Sequence, residues 1–278
     1  MKPTKKLLAI AMILCAQLAN AQTDSSEKQK PQFKFGLNYN TELNYYGRTD
    51  SLKSTGFFPL AEFWFGKDVY ISAAPVFVSN AVKSFDYAGT VTTLGYLHAT
   101  DKVITNLYLT KPFYKEASQL VQSALEAQAG ASFSFLNKII NFTAGGDVKY
   151  SDKIDFGATA GFDHIIRKEL SGNSVLVIDP SFYTYAGSQN FTTTYYKKQK
   201  SLPLFPVNNE EFTRSETNFN VLAYEFMLPL IYAKGKWMAL VTPSYIMPQN
   251  LVTVSGRPDL SERGKNMFYA NLGLKYSF

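Results

Sequence analysis

Cysteine is nearly absent from this chain of 278 residues, its one copy, Cys15, lying close to the N-terminus. Once the leader described below is removed, the mature chain has no disulfide, no thiolate nucleophile and no cysteine-ligated metal. Histidine is almost as scarce. His98 and His164 are the only two, and isolated imidazoles without cysteine assemble no metal site at recognisable spacing, so no cofactor is expected. No apolar run beyond the leader approaches the roughly 18 residues of a membrane helix, which excludes a helical membrane protein. Net charge is small as well, +6 overall, and three of those charges (Lys2, Lys5 and Lys6) belong to the leader. The mature chain therefore gives little ground for a nucleic-acid partner, which usually needs a concentrated basic face. Aromatics are what it has in abundance, with 22 Phe and 18 Tyr.

Lys2, Lys5 and Lys6, the apolar stretch Leu7 to Ala16 and the small residues Ala19 and Ala21 have the form of a secretory signal peptide over residues 1–21. Cys15 follows Leu14 rather than a small residue, which argues against a lipoprotein signal. Residues 22–32, rich in Ser, Lys and Gln, read as a flexible periplasmic lead. From Phe33 the pattern changes to a period of two: Phe33, Phe35, Leu37 and Tyr39 alternate with Lys34, Gly36, Asn38 and Asn40, and the alternation continues to Tyr46 with Glu42 on the polar face. The same reading predicts strands over 56–65, 69–79, 121–135, 140–150, 154–167, 174–186, 219–232, 237–247 and 268–278. Helix-favouring residues over 116–128 compete with the strand there, and the alternation through Phe135 favours the strand. Residues 80–119 are either a long loop with its own hairpin, Val91 to Leu97 and Val103 to Thr110, or two more spanning strands. Residues 187–217 read as a long exposed loop whose Tyr- and Lys-rich part, Phe191 to Lys200, is solvated or touches surface glycans or lipid phosphates.

The last eleven residues are the most regular. Phe268, Ala270, Leu272, Leu274, Tyr276 and Phe278 share one face, and Tyr269, Asn271, Gly273, Lys275 and Ser277 the other. At about 3.3 Å per residue and a tilt of about 40°, such a strand rises roughly 28 Å, the height of an outer-membrane apolar band. Gly273, Leu274, Tyr276 and the final aromatic Phe278 resemble the C-terminal signature of Gram-negative outer-membrane β-barrel proteins. That resemblance implies a place in the cell outer membrane and recognition of this segment by the barrel assembly machinery.

The fold class expected is therefore all-β, a transmembrane antiparallel up-and-down β-barrel over residues 33–278, of about ten strands, or twelve if 80–119 contributes a pair. Loop lengths supply an independent test, since such barrels have short periplasmic turns and longer outer loops. The turns 66–68, 136–138, 168–173 and 233–236 are short; of the connections 47–55, 80–119, 151–153, 187–217 and 250–265, only 151–153 is not long. A secreted β-sandwich would also alternate, but with strands of about five or six residues.

Lys34, Glu42, Glu62, Glu126, Asp147, Lys149, Asp155, Asp163, Glu225 and Lys275 are expected to face the lumen. They either line a mildly acidic pore for small polar solutes or close it as a salt-bridged plug, with Glu42, Glu62 and Lys34 as one such set. The function this suggests is a passive small-solute channel or a structural envelope protein, a monomer surrounded by outer-membrane lipid. Its rival is a surface-facing barrel enzyme hydrolysing lipid or peptide. His98 has no neighbouring serine motif of the kind such enzymes carry, and His164 falls on the outward register near the periplasmic end of its strand.

Overall fold

The computed structural model describes residues 30–115, 118, 120–188, 190, 219–252 and 261–278. The leader 1–21, the lead as far as residue 29 and the stretch 191–200 lie outside the described residues. Alternation of apolar and polar side chains makes each of twelve segments a two-faced strand, and the faces sort as the sequence predicts. Phe33, Phe35 and Leu37 point out and stay exposed, whereas Glu62, Lys149 and Asp155 point in and are buried.

The strands are β1 (Gln32–Asn40), β2 (Thr55–Phe65), β3 (Val69–Ser79), β4 (Asp86–Ala99), β5 (Val103–Tyr114), β6 (Ala127–Phe135), β7 (Asn141–Tyr150), β8 (Ile154–Asp163 and Ile166–Leu170), β9 (Ser174–Ile178 and Ser181–Gly187), β10 (Asn220–Met227 and Leu230–Lys234), β11 (Trp237–Pro248) and β12 (Met267–Ser277). Each pairs antiparallel with its chain neighbours, and β12 closes on β1 with Leu37 opposite Leu274 and Phe35 opposite Tyr276. Closure joins the two end strands, so the ladder is satisfied without water while apolar side chains face outward. This is the architecture of an outer-membrane β-barrel. The strand count is twelve: the two β-like pieces of 80–119 lengthen into β4 and β5, which pair from Gly89–Tyr114 to Ala99–Ile104.

The stagger of the ring follows from the registers. Starting at Leu170 and stepping across partners through Ser174, Lys234, Trp237, Tyr276 and Phe35, the path returns to β8 at Ile154, sixteen residues away. For twelve strands that stagger sets a tilt of about 45° and a backbone radius of about 12 Å, wider than wall side chains alone fill.

Three neighbouring strands are interrupted once each, β8 at His164, β9 at Asp179-Pro180 and β10 at Leu228-Pro229, yet the register is the same on both sides of each gap. Prolines cause this, because each removes one ladder donor. The carbonyls of Pro180, Pro229 and Pro243 still accept, from the N–H groups of His164 (3.1 Å), Asp179 (3.0 Å) and Leu228 (3.0 Å). The ladder therefore continues through the row on single bonds.

Two boundaries differ by six residues from the sequence reading, and β8 runs on to Leu170 rather than ending at 167. β1 stops at Asn40 rather than Tyr46, because residues 41–54 leave the wall. β6 starts at Ala127 rather than Val121, with Val121–Ala124 forming a short 3-10 turn on the outer loop. The lead is also one residue shorter, since Gln32 is already in β1.

Candidate functional site

Residues 41–54 fold into the outer end of the barrel as a hairpin, Asn44–Tyr45 against Arg48–Thr49. Its turn is Tyr46-Gly47, with φ of 52° and 75°, the pair of positive values a two-residue type I′ turn needs. Glycine is required at the second position. A Cβ on Gly47 would lie 2.8 Å from Pro248 Cδ, with two more Pro248 ring atoms at 3.0 Å. Short side chains hold the rest: Asn40 Oδ1 accepts from the Glu42 N–H, Asn44 Oδ1 from the Gly47 N–H, and Asp50 Oδ1 from the Leu52 N–H at 2.7 Å.

The hairpin spans the lumen from wall to wall. On one side Leu43 packs with Val76 and Val78 of β3, Ala88 of β4 and Leu120. On the other, Tyr46 lies against Ala223, Ile246 and Met267 with Tyr185 and Tyr269, its ring 4.9 Å from that of Tyr185. These walls belong to β3–β4 and β9–β12, roughly opposite in a ring of twelve. Burial pushes the phenols of Tyr45 and Tyr46 above their ordinary range.

Arg48 anchors the hairpin. It is 1% exposed and its guanidinium ion-pairs with Glu262 (3.0 Å) while donating to the carbonyls of Tyr46, Leu222 and Gln249, each at 3.1 Å. A buried arginine whose donors meet a carboxylate and three carbonyls is satisfied, and its removal leaves Glu262, 7% exposed, without its cation. Glu262 also accepts from the Val252 N–H (2.9 Å), tying the hairpin to the β11–β12 loop.

The structure places the wall charges at two depths of the barrel. In the outer half Lys149 pairs with Asp147, Asp155 accepts from Ser188 and from the Asn190 N–H (3.0 Å), and Glu225 accepts from Tyr185 (2.9 Å) and Tyr269. Lys149 also places its ammonium 5.8 Å from the Tyr46 ring. In the periplasmic half Lys275 meets Glu62 at 2.8 Å, Glu62 accepts from Trp64 Nε1 at 3.1 Å, and the Lys34 ammonium lies 4.1 Å from the Trp64 ring. Asp163 accepts from Asn141 Nδ2 at 2.6 Å.

Two candidates are placed differently. Glu42 belongs to the inward hairpin, not to the β1 wall, so it forms no set with Glu62 and Lys34; one of its oxygens is buried without a hydrogen bond. Glu126 sits exposed at the outer rim, just ahead of β6. The sequence reading missed Leu43, Tyr46, Arg48 and Glu262. Its one usable signal was Tyr46-Gly47, a turn pair inside an aromatic stretch, which says that the chain reverses but not that it reverses inward.

At the end of β12 Leu274 and Tyr276 face out, Gly273 faces in, and the Phe278 ring lies 5.4 Å from Phe33 and 4.9 Å from Tyr276. His98 shares the outward register of Leu94 near the periplasmic rim, its Nδ1 3.2 Å from Asp68 but outside hydrogen-bond geometry. His164 is exposed beside the proline row. Neither imidazole side chain hydrogen-bonds a serine or threonine among the described residues.

No protein-family model and no curated protein sequence matches the chain. Solved structures do. A structure described as the KdgM porin is 8% identical, covering 88% of this chain and 99% of its own, with a TM-score of 0.48. An outer membrane channel from Pseudomonas putida F1 is 11% identical, covering 92% and 100%, at 0.47. LpxR from Salmonella typhimurium is 11% identical, covering 87% and 99%, at 0.43.

Proposed function

We propose that this chain is a passive outer-membrane channel for small polar solutes whose aperture is set by the hairpin 41–54. The observation that carries the reading is what occupies the outer lumen: a loop hung on one arginine and packed among inward side chains of the wall. A wall of about 12 Å radius closed only by side chains would need large inward groups on every strand. Here the inward positions of β6–β8 are small or polar, among them Gly130, Ser132, Gly145, Gly157 and Gly161. Lipid-facing aromatics anchor a monomeric barrel, and the C-terminal residues Gly273, Leu274, Tyr276 and Phe278 serve as its assembly signal.

Ion conductance of the purified protein in planar bilayers tests this. Replacing residues 41–54 by a short Asn-Gly turn is expected to raise single-channel conductance several-fold; an unchanged, negligible conductance would make the barrel a structural envelope protein instead. The hydrolase reading has less to stand on, since His98 Nδ1 lies 3.2 Å from Asp68 and hydrogen-bonds no hydroxyl among the described residues. Lipid or peptide hydrolysis that vanishes in His98→Ala would bring it back.

A further inference from the structure

The lipid-facing surface is apolar almost everywhere, and the exception is local. Among the described residues, Lys111 of β5 is the one lysine, arginine or carboxylate on the outward register of any strand away from the periplasmic turns. Its alternation partners Leu107, Leu109 and Phe113 are exposed apolar side chains. A charge facing lipid is disfavoured unless it lies near the interface or meets a counter-charge, and no carboxylate among the described residues pairs with Lys111. Thr92, directly opposite on β4, bonds the Lys111 carbonyl at 2.8 Å. Above it, Thr90 shares a 2.7 Å hydrogen bond with the Tyr87 hydroxyl. This polar strip climbs the outer wall to two more lysines, Lys83 and Lys115, which divide one carboxylate, Asp86, at 2.8 and 3.7 Å. Three cations thus face one anion. Beside the strip lie stacked aromatics, Phe77 on Phe85 at 4.6 Å, and the exposed Phe113.

We propose that this face, the outer-leaflet end of β4 and β5, binds a phosphorylated glycolipid of the outer leaflet, with its phosphates on Lys111, Lys83 and Lys115 and its acyl chains along the exposed wall below them, Leu94, Leu107 and Leu109. Charge complementarity selects the occupant. The strip has a surplus of cations at the height where a lipid head group sits, and it is continuous below with the apolar wall that meets acyl chains, so one amphiphile answers both halves. The inference is separate from the channel reading, because none of these side chains enters the lumen.

Native mass spectrometry of detergent-purified protein, mixed with bisphosphorylated lipid A, reads the retained lipid directly. The wild type is expected to retain it, while Lys111→Met and the double variant Lys83→Ala/Lys115→Ala each lose most of that retention and dephosphorylated lipid A is not held by any of them. Lys111→Arg should keep the binding. Removing a lone charge from a lipid-facing position should leave folding intact, which heat-dependent gel mobility checks. Equal retention of the dephosphorylated lipid, unchanged retention in both variants, or equal retention of phosphatidylglycerol would each overturn the proposal.

Discussion

The two ends of the lumen are built on different principles. At the outer end Arg48 and Leu43 arrive on a loop and are buried, with Tyr46 partly buried between them and the far wall, so the space resembles the core of a soluble protein. At the periplasmic end Lys34, Trp64 and Lys275 stand on the wall and remain partly open around the buried carboxylate of Glu62, the Lys275 side chain 26% exposed. The contrast teaches that the same pairs of charges do different work by depth. With both partners buried and multiply bonded, Arg48–Glu262 fixes a loop; with its lysine open to the lumen, Lys275–Glu62 joins two wall strands and sets the sign of the local field.

Arg48→Leu should break the contrast most strongly. It strands Glu262, and a loss of about 3–5 kcal/mol from hairpin docking is expected. Rapid proteolysis within residues 41–54, with the barrel itself intact, would register it, together with raised conductance. Gly47→Val comes next: the new Cβ meets the Pro248 ring and the backbone must hold φ of 75° with a branched side chain. About 1–3 kcal/mol of the same docking should be lost, with the same protease sites opening more slowly.

Glu225→Gln keeps the shape but removes the charge that Tyr185 and Tyr269 donate to. A loss of about 1–2 kcal/mol is expected, seen as earlier thermal unfolding in detergent. The smallest effect on stability, about 1 kcal/mol, belongs to Glu62→Gln, because the amide keeps the shape and an acceptor oxygen for Trp64 and Lys275. Its signature lies elsewhere. Lys34 and Lys275 lose their anion, so the reversal potential in a salt gradient should move toward anion preference. A Glu62→Gln variant that unfolds as readily as Arg48→Leu would erase the distinction between the two ends.

Much of the wall was readable residue by residue. β12 is legible because Phe268 to Phe278 keeps strict alternation for eleven residues, and β7 because Phe142, Ala144, Val148 and Tyr150 do the same against Asn141, Thr143, Asp147 and Lys149. β4 and β5 were harder to place as spanning strands. Their outward faces carry Thr90, Thr92, Thr105 and Lys111, which dilute the apolar signal, and Gly89 sits where the register with β3 shifts. The break after Asn40 was invisible, since Thr41, Leu43 and Tyr45 continue the period of β1 in sequence while the chain has already turned into the lumen. Of the candidate site residues, those on walls were placed by parity alone. Glu42 and Glu126 were misplaced because parity holds only while the strand lasts.

What the chain determined by itself is therefore local: which side chains of each strand face lipid and which face inward, the even number of crossings, and the short turns, because a two-residue period and turn chemistry act between near neighbours. Only the closed tertiary structure decided how wide the ring is and what fills it. Stagger accumulates over twelve pairings, and Arg48 reaches Glu262 across 214 positions of sequence, a contact whose partners no local pattern brings together.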